Sequence, residues 1–218
     1  MWFSRMKLPM SAPLSSTAFW LMIFLSVVIG LYAFVALIGL QFATPDLSLK
    51  FEHWRSAISL HAVGGGITLL IGGFQFWPWV RLNHPSIHKK MGRIYLLCVF
   101  FSGVAGLLLA PTSDGGVSAH FGFGLLAICW LFSGLQAYLC ILRGDIDAHK
   151  VWMIRNFSLT FGAVTLRLYM SLFSVLDVDP SEAFQAVAWL AWVPNLIVVE
   201  WYLNSKLNAS NFIGVERG

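Results

Sequence analysis

The chain reads as an all-α integral membrane protein on three observations. It has 218 residues of which 58% are hydrophobic and 11% charged, and its mean hydropathy is +0.74. That composition leaves too little polar surface to coat a soluble globule of this size. Six apolar runs recur along it, each close to the roughly 20 residues that carry a helix across about 30 Å of hydrocarbon. The runs are too long and too evenly apolar for barrel strands, and a helix satisfies its backbone amides within one segment, as lipid requires.

The first run, 18–42, follows Arg5 and Lys7. It is too long for the core of a secretory signal and lacks a small-x-small cleavage site, so it is expected to stay as helix 1. Residues 44–55, with Pro45, Asp46, Glu52 and His53, read as a short polar loop. Helix 2 is expected over 56–80 and ends in Phe74, Phe76, Trp77 and Trp79, a belt suited to the membrane interface. A basic loop follows, with Arg81, Lys89, Lys90 and Arg93.

Helix 3 is expected over 85–110, opened by Pro85, a residue favoured in the first turn. The stretch 111–116, Pro-Thr-Ser-Asp-Gly-Gly, reads as a tight turn with no positive charge. Helix 4 covers 117–142, and either Asp145 or Asp147 is placed to cap helix 5, expected over 148–176. After an acidic loop, 177–182, helix 6 covers 183–203 and leads to Lys206 and Arg217.

The positive charges fall at the N-terminus, after helices 2 and 4, and at the C-terminus. The positive-inside rule puts all four in the cytoplasm and the protein in the plasma (inner) membrane. The same rule accounts for the net charge of +4 without nucleic acid as a partner; the partner is the lipid bilayer. No segment is left for a soluble domain, so 1–218 is expected to be a single six-helix membrane domain. Short loops favour an antiparallel bundle of helices 2 to 5, with 2 facing 4 and 3 facing 5 across the middle, flanked by helices 1 and 6. Cys98, Cys129 and Cys140 lie inside helices at spacings that suit neither a metal knuckle nor a redox pair, and read as apolar packing.

Within this frame four histidines stand near helix starts: His61, His88, His120 and His149. The topology places His61 with His120 on the outer side and His88 with His149 on the inner side. A flat macrocycle held between facing imidazoles fits the diagonal of such a bundle, and bis-histidine ligation, which leaves no open axial position, favours electron transfer. The expected cofactor is therefore haem b, one or two per chain, with the four histidines as iron ligands.

Gly65, Gly92 and Gly124 each follow a histidine by four residues, which puts them on the same face one turn deeper. They either clear a slot for a porphyrin edge or let helices pack closely with no ligand, as small-xxx-small contacts do. The fourth histidine has Met153 at the matching place. Arg167, eighteen residues after His149, returns to the same face about five turns on. It is a candidate propionate partner or a side chain snorkelling to the interface. Arg93 and Arg155 can serve a propionate or anionic substrate at the inner face, or simply anchor the helices. Because the inner histidines lie among Lys89, Lys90, Arg93 and Lys150, that pair can instead meet a quinone head group, an anionic reductant or a lipid phosphate.

The stretches His88-Lys-Lys-Met-Gly-Arg-Ile-Tyr95, His149-Lys-Val-Trp-Met-Ile-Arg155, Leu166-Arg-Leu-Tyr169 and Gly72-Gly-Phe-Gln-Phe76 resemble a bacterial family of membrane proteins known as domain of unknown function two-three-zero-six. The resemblance covers about residues 60–169 and implies a fold without a reaction. More distantly, the four-histidine layout is similar to the two-haem cytochrome b561 proteins. That similarity implies an outer haem on His61 and His120, an inner one on His88 and His149, and an ascorbate-like reductant.

The leading expectation is thus a transmembrane electron-transfer protein of b-type character, a possible membrane oxidoreductase. The alternative is a non-enzymatic membrane module that binds a metal ion, lipid, quinone or partner protein through interfacial histidines. A small transporter fits less well, because Glu200 is the one acidic residue well inside a run and no pair of broken helices is evident.

Overall fold

The computed structural model describes residues 16–39 and 45–215. Arg5, Lys7 and Arg217, which carry part of the orientation argument, lie outside them, as does residue 44 at the start of the first expected loop. The α-helices among the described residues are α1 (Ser16–Gly39), α2 (Pro45–Gly72), α3 (Pro78–Asn83), α4 (Pro85–Leu109), α5 (Gly116–Leu142), α6 (Ile146–Thr160), α7 (Gly162–Val175), α8 (Pro180–Leu190) and α9 (Val193–Val215). Six helical segments are long and apolar enough to cross a membrane. They are α1, the greater part of α2 with the turn after it, α4, α5, α6 with α7, and α8 with most of α9.

Several boundaries follow from single residues. Pro85 opens α4 from its first turn, where its missing N–H costs nothing. The Asp145 carboxylate accepts from the Ala148 amide at 3.0 Å and caps α6. Asp147, the other candidate cap, pairs with Lys150 at 2.8 Å. Asp179 caps α8 by accepting from the Ser181 and Glu182 amides at 2.9 and 3.1 Å. The turn from α4 into α5 passes through Gly115 and Gly116 at φ +92° and +64°, a conformation that any β-carbon strains.

The structure departs from expectation in three places. The segment read as a loop over 44–55 is helical from Pro45 and joins the second span across a kink at Trp54 (φ −108°, ψ 17°). Pro45 at a helix start, with Asp46 next to it, supplies the N-terminal signal that a hydropathy reading passes over. The second span also ends earlier than residue 80. After Gly72 the chain makes a 3-10 turn over Gly73–Phe76, then an extended residue at Trp77, and restarts as α3 at Pro78. The residue before a proline is driven out of the helical region, so the break falls at Trp77.

The third departure is a pair of interrupted helices where none was expected. The fifth span breaks at Phe161 between α6 and α7, and the sixth at 191–192 between α8 and α9. The breaks lie side by side, for a β-carbon on Gly162 would sit 3.3 Å from the Ala191 carbonyl oxygen. Pro194 has no N–H to offer the carbonyl four residues back, which accounts for the sixth-span break. Asn195 closes the gap: its Nδ2 donates to the carbonyls of Ser158 (3.3 Å) and Ala191 (3.0 Å) and to Thr165 Oγ1 (3.0 Å). With these carbonyls engaged, the break is a sealed joint.

Packing follows the expected ring. α2 lies along α4, α4 along α5 and α5 along α6, and a shorter contact between α6 and α2 closes the bundle. α1 rests on α2 and α7, while α8 and α9 cover α5, α6 and α7. Without a hydrophobic drive between helices in lipid, close backbone approach holds such a ring together. Gly30 and Gly66 supply it between α1 and α2: a β-carbon on either would meet the other's carbonyl oxygen at 3.1 Å. Gly122 does the same for α5 against α8, facing Ala188 atoms at 2.8 Å. Large apolar side chains such as Leu21, Phe24, Val35, Leu97, Phe132 and Trp201 are exposed, the surface that a lipid-embedded protein presents.

Gly122→Val is expected to destabilise the fold by about 2 kcal/mol, because the neighbour it would strike is backbone and cannot yield. Thermal unfolding of the purified protein in detergent checks this. Gly144→Ala, at a surface turn with nothing within 4 Å of a β-carbon but with φ +74°, is expected to cost about 1 kcal/mol from backbone strain alone.

Candidate functional site

A layer of buried polar groups divides the interior of the bundle. The Tyr95 hydroxyl, on α4, donates to Asn156 Oδ1 on α6 at 2.7 Å and lies 2.8 Å from Thr160 Oγ1. Trp130 Nε1, on α5, donates to Thr160 Oγ1 at 2.9 Å. Asn156 Nδ2 donates to the Trp130 carbonyl at 2.8 Å and to Ser133 Oγ at 2.9 Å. Tyr95 and Asn156 are fully buried. The chain was expected to carry its chemistry on histidines, and this layer went unread. Its signal was present in Asn156, Ser158 and Thr160, polar residues inside a membrane helix, where they are costly unless partnered.

On the His61 side of this layer lies a cavity of about 350 Å³, with Trp130 and Thr160 among its walls. This is toward the small end for ligand pockets. All four bundle helices contribute: Ile58, His61, Gly65 and Thr68 from α2, Gly103 and Gly106 from α4, Phe123, Leu126 and Ala127 from α5, and Leu159, Ala163 and Leu166 from the fifth span. Ser113 and Asp114 of the α4–α5 turn and Trp54 at the kink also line it. The wall is largely apolar.

His61 presents its ring to this cavity. Its Nδ1 lies 3.0 Å from the Ser102 carbonyl oxygen, while Ser102 Oγ donates back to the His61 carbonyl at 2.8 Å. A carbonyl oxygen has no proton to give, so Nδ1 carries the hydrogen and Nε2 keeps its lone pair. Gly106 gives the ring its room, since a β-carbon there would come within 3.0 Å of two ring atoms. His120 sits at the rim, one turn from Phe123, with Nε2 bonded to the Ser113 carbonyl at 3.0 Å. By the same argument its free nitrogen is Nδ1. The two rings therefore belong to one region of the bundle, but His120 turns toward its own preceding loop.

At the opposite end, His149 Nδ1 donates to the Ala137 carbonyl at 2.8 Å, leaving Nε2 free. His88 lies within electrostatic reach of His149, so the two share this end of the bundle. The His88 Nδ1 atom is buried with no hydrogen-bond partner. A ring nitrogen held by a carbonyl, with the other left as a lone pair, is the arrangement by which proteins prepare histidines for iron or metal. Three of the four histidines show it.

The glycines paired with these histidines behave differently from the packing glycines. Within 4 Å, a β-carbon at Gly65 would meet only Ser102 Oγ at 3.6 Å, at Gly92 only Gln75 Oε1 at 3.8 Å, and at Gly124 only Ala110 Cβ at 3.8 Å, among the described residues. At Gly64, Gly66, Gly72, Gly103 and Gly122 the nearest atoms are at 2.7–2.8 Å. Tight helix contact thus requires glycine in the second group, while the first group has ordinary van der Waals neighbours and, of the three, Gly65 lines the cavity.

The three arginines separate. Arg155 forms a two-pronged ion pair with Glu200 of α9, Nη2 donating to Oε2 at 2.9 Å, and lies 4.8 Å from the Trp152 ring centroid. The pair opens on a lateral groove lined by Cys129, Phe132 and Leu196. Its charge is already matched within the protein. Arg167 lies over the Tyr32 ring of α1 at 5.2 Å and within electrostatic reach of His61. Arg93 is exposed near the start of α4. The cysteines are free and half-buried.

Among the described residues, no three His, Cys, Asp or Glu side chains converge as a bare metal ion would require. Residues 58–203 match the family described as predicted membrane protein, DUF2306, so the match runs on through the sixth span. No curated protein and no solved structure matches the chain.

Asn156→Leu is expected to cost about 3 kcal/mol, since it removes the acceptor of the Tyr95 hydroxyl and the donor to the Trp130 carbonyl and Ser133 Oγ together, leaving Tyr95 only Thr160. Tyr95→Phe is expected to cost about 1 kcal/mol. Unfolding in a graded detergent series measures both, and similar small effects for the two would show that the buried layer does not hold the bundle.

Proposed function

Because the chain belongs to the DUF2306 family, which is defined by its membrane character and not by a reaction, we propose its function from its own residues: a membrane electron-transfer protein that holds one haem b in the His61 cavity. The observation that carries this reading is the cavity that His61 and Gly65 line together, with Gly65 one turn from the imidazole. A glycine there leaves bare backbone at the cavity wall, where a flat guest can approach.

The residues fit the group in kind. His61 offers Nε2 from a ring already oriented by Ser102, and the second ligand in this reading is His120, one turn from Phe123 of the wall, whose ring must swing from the Ser113 carbonyl or offer Nδ1. An apolar wall keeps water from the bound group, and Arg167, within electrostatic reach of His61, supplies positive charge for propionates. When bound between two imidazoles, haem supplies one-electron exchange without an open position for oxygen. Ser102 and Ser113 fix the two rings through their carbonyls. The charge bias of the loops supports a plasma-membrane protein with both termini in the cytoplasm, which puts this cavity on the outer side.

A second reading, a module that binds a lipid or another apolar guest in the same cavity, is favoured by the predominance of apolar atoms in the wall. One experiment separates the two. Protein purified from haem-replete cells is expected to show a Soret band that sharpens and shifts on dithionite. His61→Ala and Gly65→Leu are each expected to lose most of the haem, counted as pyridine haemochrome, while the protein stays folded. A wild-type protein without a Soret band would leave the apolar-guest reading, and haem content unchanged in both variants would place any haem elsewhere.

A further inference from the structure

The groove beside the Arg155–Glu200 pair is a cavity in its own right, of about 350 Å³, within the range of roughly 300–1,000 Å³ that small-molecule sites occupy. It opens between α5, α6 and α9 toward lipid, for Phe132 in its wall is 50% exposed and the Glu200 side chain 41%. Both charged residues lie inside membrane spans, roughly 8–11 Å along the helix from the middle of each at 1.5 Å per residue. The hydrocarbon reaches about 15 Å to either side of the midplane, so the pair sits within it. There the guanidinium is only partly satisfied. It spends two of its five N–H donors on Glu200, through Nε and Nη2. Nη1 takes no hydrogen bond among the described residues, and each carboxylate oxygen keeps a lone pair. At this depth a polar group is met by protein or by a guest, since lipid tails offer nothing.

The pair constrains that guest. Arginine and glutamate neutralise each other, so an anion would have to displace the carboxylate and a cation the guanidinium; the guest is neutral. A donor and an acceptor side by side suit a hydroxyl, whose oxygen accepts from Nη1 while its proton goes to the carboxylate. A lipid phosphate is excluded by charge and by depth. Phe132 and Trp152 meet edge to face in the same wall, with centroids 5.6 Å apart at 86°, a corner that extends naturally to a further aromatic ring. One residue then relates the groove to the first site. Leu159, 4% exposed, lines both the groove and the His61 cavity, so guests in the two are separated by a single side chain. The buried polar layer spans the same distance: Ser133 in the groove accepts from Asn156, and Trp130 and Thr160 line the cavity.

We propose that this groove binds the head group of a membrane hydroquinone, a ring hydroxyl lying between Arg155 and Glu200 and the ring against Phe132 and Trp152. A neutral, lipid-dissolved ring that bears hydroxyls and exchanges electrons has this chemistry. The proposal deepens the electron-transfer reading by naming a partner class, and rests on that reading for its choice of a hydroquinone over another hydroxyl-bearing amphiphile.

The test is a calorimetric titration of the full-length protein in lipid nanodiscs with a short-chain benzohydroquinone kept reduced, against empty nanodiscs. Saturable one-site binding is expected in the wild type. Cys129→Phe, which fills the groove and leaves the ion pair, is expected to weaken it tenfold or more. So is the double variant Arg155→Met with Glu200→Leu, which removes both charges together and strands neither; either variant decides if the other does not fold. Absence of saturable binding, wild-type affinity in these variants, or equal displacement of the hydroquinone by dioctanoylglycerol would overturn the proposal. Hydroquinone binding in a protein without a Soret band would retain this site and reject the haem. A haem spectrum without hydroquinone binding would do the reverse.

Discussion

The hydrogen bond from Tyr95 to Asn156 is the contact on which the rest of the interior depends. It runs across the diagonal of the bundle, from the third span to the fifth, and Asn156 and Thr160 extend it to the fourth. Apolar side chains in lipid gain little by choosing one neighbouring helix over another. A polar group in the same place has few acceptable partners, and so it specifies which faces turn inward. Once that layer is set, the space on one side of it becomes the His61 cavity.

Each end then poses a different chemical problem. In the His61 cavity the walls are largely apolar, the imidazole is held by a carbonyl, and Gly65 lends bare backbone to the wall. At the His88 end the polar groups are buried and unpaired, and positive charge waits at the rim. The lateral ion pair between Arg155 and Glu200 belongs to neither: it ties the sixth span to the bundle and neutralises two charges that would otherwise face lipid. Glu200, well inside the sixth span, thus has a structural partner.

The six spans were legible because hydropathy reports directly on the solvent, and Pro85 and the Gly115–Gly116 turn mark their limits unambiguously. The breaks at Phe161 and 191–192 were not, since each leaves the apolar run unbroken and the second depends on Pro194, two residues inside a helix. Histidines could be paired by side from loop charge alone. Which nitrogen each ring keeps free could not, because the fixing groups are main-chain carbonyls of Ser102, Ser113 and Ala137, and a carbonyl has no residue-type signature. Asn156 was hidden differently: one polar residue in an apolar run says that a partner exists, but its partners Tyr95, Trp130 and Ser133 lie on other helices.

The spacing around the glycines bears on how relatives of this chain should be compared. Gly65 and Gly66 are consecutive, and an alignment would be expected to keep both. Gly66 is confined by the carbonyl of Gly30 at 3.1 Å and by Phe34, so any replacement pushes two helices apart; at Gly65 a methyl meets one hydroxyl at 3.6 Å. Invariance at the first would record architecture and at the second would record a guest. A homologue that carries leucine or another large residue at 65 while retaining 66 would have the same scaffold with its pocket filled.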